Sequence, residues 1–248
     1  MIRDNNEDAY FVADCCRYTD SQILSCGIYL VADGMGGENA GEVASAQAIE
    51  TISSSILKDL KSDAKPSSYQ DLVRHAIERG NAEISSMAKA KSALASAGTT
   101  VTLGLRINND LYLGHIGDSR CYLVHDGKLE QLTRDHSVVG ELLRRGKITI
   151  EQAKHHPARG KLYRSLGSTT DITVDTLKET GYGESQALSS GDKVIFCSDG
   201  LTDYVSNEDI LELVEHGVNA IGICHSLVQL ANARGGADNV TVIVVTVT

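Results

Sequence analysis

Five aspartates, each inside a short and distinctive motif, constrain this chain more than any other feature of its sequence. They are Asp8 in Asn5-Asn6-Glu7-Asp8, Asp33 in Asp33-Gly34-Met35-Gly36-Gly37, Asp118 in Gly117-Asp118-Ser119-Arg120, Asp199 in Ser198-Asp199-Gly200, and Asp238 in Asp238-Asn239. All but Asp118 abut an apolar run of strand type or a turn glycine, which places these carboxylates at strand ends. A fold that gathers them would form an all-oxygen site, which suits Mg²⁺ or Mn²⁺ better than zinc. Taken singly, each Asp-Gly pair is first of all a turn.

Length and charge bound the class of protein. The chain has 248 residues and no Pro-rich or Gly/Ser-rich linker, so we predict a single domain over residues 1–248. The 23 Lys and Arg against 33 Asp and Glu give a net charge of -10, a field that repels nucleic acid and anionic lipid. The longest apolar stretch, around Val242 to Val247, is far short of a membrane span, and no leader of basic and then apolar residues opens the chain. We therefore expect a soluble, cytoplasmic monomer that neither binds nucleic acid nor inserts into a membrane.

The cysteines argue against a disulfide framework and against a zinc site. None of the six forms a Cys-x-x-Cys pair, and most of them lie inside apolar runs such as Val194-Ile195-Phe196-Cys197. We expect them to be buried free thiols in a reducing compartment.

Hydrophobic periodicity predicts two strands and then two helices in the first part of the chain. These elements are Asp8–Asp14, Cys26–Asp33, Glu38–Lys61 and a helix after Pro66 that Ser67 or Ser68 caps. The second helix owes its prediction to one apolar stripe, formed by Leu72, Val73, Ala76, Ile77, Ile84 and Met87.

The pattern then alternates with a period of two, which indicates strands over Val101–Ile107, Leu111–Ile116 and Cys121–His125, with hairpin signals at 108–110 and 126–127. Short helices are predicted at Ser137–Arg145 and Thr149–His155, and a basic, flexible segment follows at 157–161. The remaining predicted elements are strands over Ile172–Leu177, Lys193–Cys197 and Asn239–Thr246 and helices over Ser206–His216 and Asn219–Ala233. Because strands come in runs and helices in pairs, we expect antiparallel sheets covered by helices.

Seven motifs follow one another along nearly the whole chain. They are Arg3-Asp4-Asn5-Asn6-Glu7-Asp8, Asp33-Gly34-Met35-Gly36-Gly37, Ser96-Ala97-Gly98-Thr99-Thr100, Gly117-Asp118-Ser119-Arg120, Leu132-Thr133-Arg134-Asp135-His136-Ser137, Ser198-Asp199-Gly200-Leu201 and Asp238-Asn239-Val240-Thr241. This ordered set resembles the metal-dependent serine/threonine protein phosphatases of type 2C. Met35, where animal members carry His, is typical of the bacterial branch.

The resemblance implies an α+β fold, a four-layer αββα sandwich of two antiparallel β-sheets flanked by helix pairs. It also implies that phosphoserine and phosphothreonine on proteins are hydrolysed by a water that bridges two Mn²⁺ or Mg²⁺ ions. Family members usually carry a further strand before the first motif, whereas only Met1 and Ile2 precede Arg3 here. We therefore expect the first strand to be missing or truncated.

The resemblance assigns the two metal ions to four residues. Asp33 would bridge both ions, the Gly34 carbonyl would bind the second, and Asp199 and Asp238 would complete the first. For Asp238 a turn that enters the last strand is also expected, and both roles can coexist.

Three further carboxylates receive roles by the same resemblance. Glu7 and Asp8 would bind the second metal or orient its waters; the alternative is a solvated turn before a strand. Asp118 would hold a third, weaker metal together with Asp199. The alternative for Asp118 is a turn aspartate that accepts backbone N–H bonds between two strands.

Arg3 is the candidate to grip the phosphate, because a guanidinium fork matches two phosphate oxygens. The alternative is an unstructured residue near a terminus. No general acid is evident, since Met35 occupies the animal His position and His136 is expected to be structural, beside a helix cap at Ser137. His155 and His156 are adjacent on a helix and are expected at the surface.

The segment 138–161 matches the mobile flap of the family. Arg144, Arg145, Arg159 and Lys161 would offer positive charge to an acidic phosphopeptide, or would simply form a solvated helix face. The expected partners are phosphorylated proteins that a serine/threonine kinase modifies. There are two alternative functions. The glycine run at 34–37 could be the phosphate-binding loop of a nucleotide-binding module, but no Lys-Ser or Lys-Thr follows it. The chain could also be a catalytically inactive module that binds phosphoproteins.

Overall fold

Two antiparallel β-sheets and the helices that cover them make up the fold. The computed structural model describes residues 3, 5–18, 23–37, 40–62 and 68–248. In chain order its strands are β1 Asp8–Tyr18, β2 Ile23–Met35, β3 Gly98–Thr99, β4 Val101–Ile107, β5 Asp110–Ile116, β6 Arg120–His125, β7 Lys128–Gln131, β8 Asp175–Thr176, β9 Gln186–Ala187, β10 Lys193–Cys197 and β11 Val242–Thr246.

The strands divide into a larger and a smaller sheet. In the larger sheet the order is β1-β2-β4-β5-β8, with β3 beside β2 and β9 beside β5, whereas the smaller sheet has the order β11-β10-β6-β7. Every recorded pairing between these strands is antiparallel. Two hairpins turn at left-handed residues, Asn108 with φ 52° and Asp126 with φ 47°, followed by Gly127 with φ 70°. The sequence signals at 108–110 and 126–127 are therefore confirmed as tight turns.

Helices form the outer layers. They are α1 Ala40–Lys61, α2 Tyr69–Ala90, α3 Val138–Arg144, α4 Ile150–Lys154, α5 Leu177–Thr180, α6 Asp199–Thr202, α7 Asn207–His216 and α8 Ala220–Ala233, with a short 3₁₀ turn at Ser92–Leu94. The Ser68 side chain caps α2 by accepting from the backbone N–H groups of Gln70 and Asp71. Glu38, Pro66 and Ser67, where the sequence placed the start of α1 and the entry to α2, lie outside the described residues.

Three apolar cores separate four layers. The pair α1 and α2 packs on the larger sheet, around Ile52, Ile77, Leu30 and Leu103. Between the sheets, the rings of Tyr29 and Phe196 stack with their centroids 5.9 Å apart. The third core joins the smaller sheet to α7 and α8, around Tyr122, Ile195, Ile210 and Leu227. The expected α+β, four-layer αββα sandwich is thus confirmed.

Two expectations need correction. The strand predicted over Ile172–Leu177 is wrong for most of its length: only Asp175–Thr176 pairs with β5, and a helix begins at Leu177. That helix forms because the Thr176 and Glu179 side chains make a reciprocal capping box, a local signal stronger than the apolar alternation.

The cysteines are free but not all buried. Cys26, Cys121 and Cys197 are buried, whereas Cys15 and Cys16 are exposed because β1 is an edge strand without a second neighbour in the sheet order. Within the described ranges, no helix combines the length and the apolar character that crossing a membrane requires.

Candidate metal centre

Asp33 lies near the end of β2, next to the residues of β2 that pair with β3. Its backbone is held from three directions. The Asp33 N–H donates to Thr100 Oγ1 at 2.9 Å, and the Asp33 carbonyl accepts from the Thr100 N–H at 2.8 Å and from Thr99 Oγ1 at 2.9 Å. These two threonines give the Ser96–Thr100 motif a physical purpose, which is to fix the backbone that carries Asp33.

Gly34 is a glycine because the first turn of α1 presses against it. A Cβ at Gly34 would lie 2.1 Å from the Gly41 carbonyl oxygen and 2.7 Å from the Glu7 carbonyl oxygen. The Gly34 N–H donates to the Glu7 carbonyl at 3.0 Å, and Ser45 Oγ donates to the same oxygen at 2.6 Å. Any larger residue would push α1 and the first motif away from the end of β2.

The C-terminal Asp238–Thr241 motif fixes the N-terminal segment. Asn239 accepts from the Glu7 N–H through Oδ1 at 2.9 Å and donates to the Asn5 carbonyl through Nδ2 at 3.1 Å. Arg3 Nη2 donates to Asp238 Oδ2 at 2.9 Å, and the Arg3 side chain is half exposed. Residues more than 230 positions apart in sequence are therefore brought to one place.

Asp8 is half satisfied. Its Oδ2 accepts from Ser198 Oγ and from Thr241 Oγ1, both at 2.7 Å, whereas its buried Oδ1 has no hydrogen-bond partner within the described part of the chain. Burial raises the pKa of Asp8, although the two hydroxyl donors oppose that shift. A buried carboxylate oxygen without a donor is costly unless a proton or a cation satisfies it.

Asp33 and Asp199 are two buried carboxyl groups with raised pKa values. Asp199 opens α6 directly after β10, and its negative charge acts on Asp33. Burial and then the charge of Asp199 raise the pKa of Asp33 well above its usual range, and burial with the charge of Asp203 raises the pKa of Asp199 to about 6. In the absence of a cation, burial and the repulsion between negative charges favour the protonated form of such carboxyl groups.

Asp118 follows Gly117 in the connection from β5 to β6. Gly117 has φ +116°, and a Cβ there would lie 2.5 Å from the Thr100 side chain, so the turn requires glycine. Burial and then the charge of Asp199 raise the pKa of Asp118 well above its usual range. No described residue donates a hydrogen bond to the Asp118 carboxylate, so nothing in the described structure favours the turn-aspartate alternative. Its role at a third metal stays a prediction.

These carboxylates fit the chemistry of a hard cation. Burial raises the pKa of each of them, the charge of Asp199 raises the pKa of Asp33 and Asp118 further, and Asp8 contributes an oxygen without a hydrogen-bond partner among the described residues. Among the described residues, however, no group of three or more His, Cys, Asp or Glu side chains stands ready to hold an ion. The ligand set therefore stays a prediction.

Sequence reasoning left Arg120 and Asp135 without a role. Arg120 donates to Asp135 Oδ1 through Nε at 2.9 Å and to Oδ2 through Nη2 at 2.6 Å, and its Nη1 donates to the Tyr122 hydroxyl at 3.0 Å. This partly buried fork joins the Gly117–Arg120 motif to the Leu132–Ser137 motif. The signal was present in the sequence, since both residues lie inside motifs, but nothing in the sequence paired them.

The segment 138–161, the flap, is held more loosely. Arg144 and Arg145 both pair with Glu141 on α3, whereas Arg159 reaches Asp203 at 2.7 Å, close to Asp199. His155 is exposed and His156 only partly so, and no metal pair is formed there. Both histidines lie at the described surface, as expected.

Comparisons with known proteins agree with this fold. Residues 4–232 match the protein phosphatase 2C family, and the chain belongs to that family. It is 38% identical over 245 residues to the serine/threonine protein phosphatase PstP of Mycobacterium tuberculosis, covering 98% of this chain and 42% of that one. It is 34% identical over 218 residues to the serine/threonine phosphatase stp of Listeria monocytogenes, covering 88% of this chain and 83% of that protein.

Solved structures show the same relationship. The crystal structure of Mycobacterium tuberculosis PstP/Ppp aligns with a TM-score of 0.83 at 34% identity, covering 100% of this chain and 94% of that one. The PstP catalytic domain in complex with two manganese ions aligns with a TM-score of 0.79 at 34% identity, with the same coverage. The chain thus spans less than half of the full mycobacterial protein but nearly all of its crystallised phosphatase domain.

Proposed function

We propose that this chain hydrolyses phosphoserine and phosphothreonine monoesters on proteins, with two Mn²⁺ or Mg²⁺ ions and a third, weaker ion at Asp118. The observation that carries the proposal is the cluster of buried carboxyl groups of Asp8, Asp33, Asp118 and Asp199: burial raises the pKa of each, and the charge of Asp199 raises the pKa of Asp33 and Asp118 further. Relatives that are named serine/threonine phosphatases support it, as does the relative crystallised with two manganese ions.

In the proposed site, Asp33, Gly34, Asp199 and Asp238 hold the two principal ions, and Glu7 and Asp8 lie beside the second. When bound, two divalent cations acidify a water molecule and neutralise charge on the phosphoryl oxygens. The residues of the chain hold the carboxylates in place: Thr99 and Thr100 through the Asp33 backbone, and Ser198 and Thr241 through Asp8 Oδ2. Because the pKa values of Asp33 and Asp199 are raised, any proton that these carboxyl groups carry must leave before a cation is held.

Arg3 and the flap complete the proposed substrate site. The half-exposed Arg3 guanidinium borders Asp238, Glu7 and Asp33, where its fork can take two phosphate oxygens. His136 is not offered as a general acid. It is 1% exposed, and its two ring nitrogens contact the Gly117 N–H and Asp175.

We also propose that residues 1–248 act as one domain and as a cytoplasmic monomer in bacterial signalling, on proteins that a serine/threonine kinase phosphorylates. The free state of all six cysteines supports a reducing compartment. Comparing the phosphoproteomes of cells with and without the protein, together with light scattering of the purified chain, tests these points.

The first experiment is hydrolysis of an aryl phosphate and of a phosphothreonine peptide after dialysis against EDTA, with and without added Mn²⁺. We expect activity only with the metal. Full activity in excess EDTA would rule out the proposed chemistry. Tight binding of a phosphopeptide without any turnover would instead indicate the inactive binding module, which no observation in the structure favours.

A further inference from the structure

His136 makes two hydrogen bonds to Gly117, the residue directly before Asp118. The Gly117 N–H donates to His136 Nδ1 at 3.1 Å, and the His136 N–H donates to the Gly117 carbonyl at 2.7 Å. The side chain and the backbone of one buried residue therefore bind both polar groups of one glycine. Because Gly117 has φ +116°, this grip maintains a conformation that leads straight into Asp118.

Asp175 sets the orientation of His136. Since Nδ1 accepts a hydrogen bond, Nε2 carries the proton and donates it to Asp175 Oδ2 at 3.0 Å. The other carboxylate oxygen accepts from Arg164 Nη1 at 2.6 Å. Burial would raise the pKa of Asp175, but the hydrogen bonds from His136 and Arg164 outweigh burial and lower that pKa to about 2. Asp175 therefore stays a charged acceptor in the dyad that it forms with His136.

The far side of Asp118 is held as firmly. Ser119 is fully buried; its Oγ lies 2.8 Å from Thr100 Oγ1, and its carbonyl accepts from Thr102 Oγ1 at 3.1 Å. Asp118 itself has no recorded hydrogen-bond donor among the described residues, so its position depends on the neighbours that are held. His136 is the side chain that holds the Gly117 side.

The same dyad stands at the base of the flap. The Tyr163 N–H donates to the His136 carbonyl at 2.9 Å, and Ser137 forms a β-bridge with Leu162. Arg164, the next residue, is the one that binds Asp175. The two chain segments that enter and leave the flap therefore both contact the grip on Gly117.

We propose that His136, oriented by Asp175, is a positioning residue for Asp118 and links the flap base to the geometry of the metal that Asp118 binds. The proposal rests on the function proposed above for Asp118. Outer partners of this kind change metal affinity or activity by about 10–100-fold when removed.

Two variants of similar size separate this role from plain stability. An Asn side chain places its oxygen where Nδ1 lies and loses the Asp175 bond, whereas a Gln side chain reaches the Nε2 position and loses the Gly117 bond. We expect His136→Gln to weaken the weakest class of Mn²⁺ sites by about 10-fold, and His136→Asn to stay much closer to the wild type. Mn²⁺ binding is followed by electron paramagnetic resonance without substrate, and amide exchange is followed over residues 116–119.

A double-mutant cycle, measured by turnover, combines His136→Gln with Asp118→Ala. If His136 acts through Asp118, the loss of turnover caused by His136→Gln should disappear in the Asp118→Ala background. His125→Ala is the matched control, because His125 forms another His–Asp pair, with Asp192 at 2.7 Å, at the opposite end of β6. It should change neither Mn²⁺ binding nor exchange at 116–119.

Equal Mn²⁺ binding by the Gln and Asn variants would overturn the proposal, as would additive losses in the two backgrounds. A wild type that binds Mn²⁺ but hydrolyses no phosphoester would instead overturn the proposed function, since Mn²⁺ binding and amide exchange report on the positioning role without turnover.

Discussion

Two regions are stabilised in opposite ways: the acidic end of the sheets, formed by Asp8, Asp33, Asp118 and Asp199, and the flap, residues 138–161. At the acidic end, buried carboxylates are positioned by hydroxyl and backbone groups distant in sequence, such as Thr241 and Ser198 on Asp8. In the flap, exposed arginines pair with a carboxylate three or four residues away, as Arg144 and Arg145 do with Glu141. The carboxylates of the site are thus buried and electrostatically strained, whereas the arginines of the flap are satisfied by a carboxylate close in sequence.

This difference predicts where a substitution should change activity or stability most. Exposed ion pairs contribute about 0–1 kcal/mol, whereas groups buried without a partner cost several times more. Activity should therefore depend on single atoms at the acidic end, and on the flap only through its few contacts with that end.

The sharpest contrast comes from Asp33→Asn. Turnover should fall by at least about 100-fold, because the charge proposed to hold both ions is lost, while the fold should survive because no core packing changes. Steady-state hydrolysis with saturating Mn²⁺ and a melting curve measure the two effects. Asp71→Asn, which removes an exposed carboxylate paired with Arg74, is the control and should be silent. Wild-type turnover of Asp33→Asn would remove Asp33 from the site.

A smaller loss is expected for Asp118→Ala. If Asp118 holds a third metal, turnover should drop by about 10-fold while a crystal soaked in Mn²⁺ still shows two ions and the melting temperature changes little. A turn aspartate behaves differently, because losing its backbone bonds costs about 1–3 kcal/mol of stability with turnover per folded molecule intact. A destabilised but fully active variant would contradict the third-metal role.

The pH dependence of metal-free stability tests the strained pair. Burial raises the pKa of Asp199 from 3.8 to about 6, so the folded state holds the proton more tightly than the unfolded chain. This contribution is complete below about pH 4 and is lost as the pH rises through about 6. In EDTA, the melting temperature should fall over that window, and less so in Asp199→Asn. Identical pH profiles for the two proteins would argue against a raised pKa at Asp199.

The smallest effects belong to the flap. Arg159→Ala removes the bridge to Asp203 and should cost at most about 1 kcal/mol of stability, since both side chains are partly exposed. It should still alter KM for a phosphopeptide more than Arg144→Ala, whose partner Glu141 lies within the flap. Equal KM values for the two variants would mean that the Arg159 contact does not link the flap to the site.

Much of the fold could be predicted from local patterns. The strands Val101–Ile107 and Lys193–Cys197 were predicted as found, and Ser68 was one of the two predicted caps of α2, because period-two alternation and capping chemistry act over a few residues. The strand predicted over 172–177 failed because the Thr176–Glu179 capping box outweighed a short apolar alternation.

The site was less accessible to such reasoning. The motifs named the acidic residues, yet the pairing of Arg120 with Asp135 and the grip of His136 on Gly117 could not be predicted. Both depend on which loops the sheets bring together, and spacing along the chain does not encode that. The exposure of Cys15 and Cys16 likewise depends on β1 lying at a sheet edge.

By itself the sequence determined the family, the layered fold class and the identity of the acidic residues, because those follow from residue types in a fixed order. Two features follow only from the folded chain: the charge of Asp199 raises the pKa of the buried Asp33 and Asp118, and Asp8 Oδ1 finds no donor among the described residues. The physical reason is that a pKa and a hydrogen bond depend on distance and burial in space, which residues far apart in sequence acquire only when both sheets have formed.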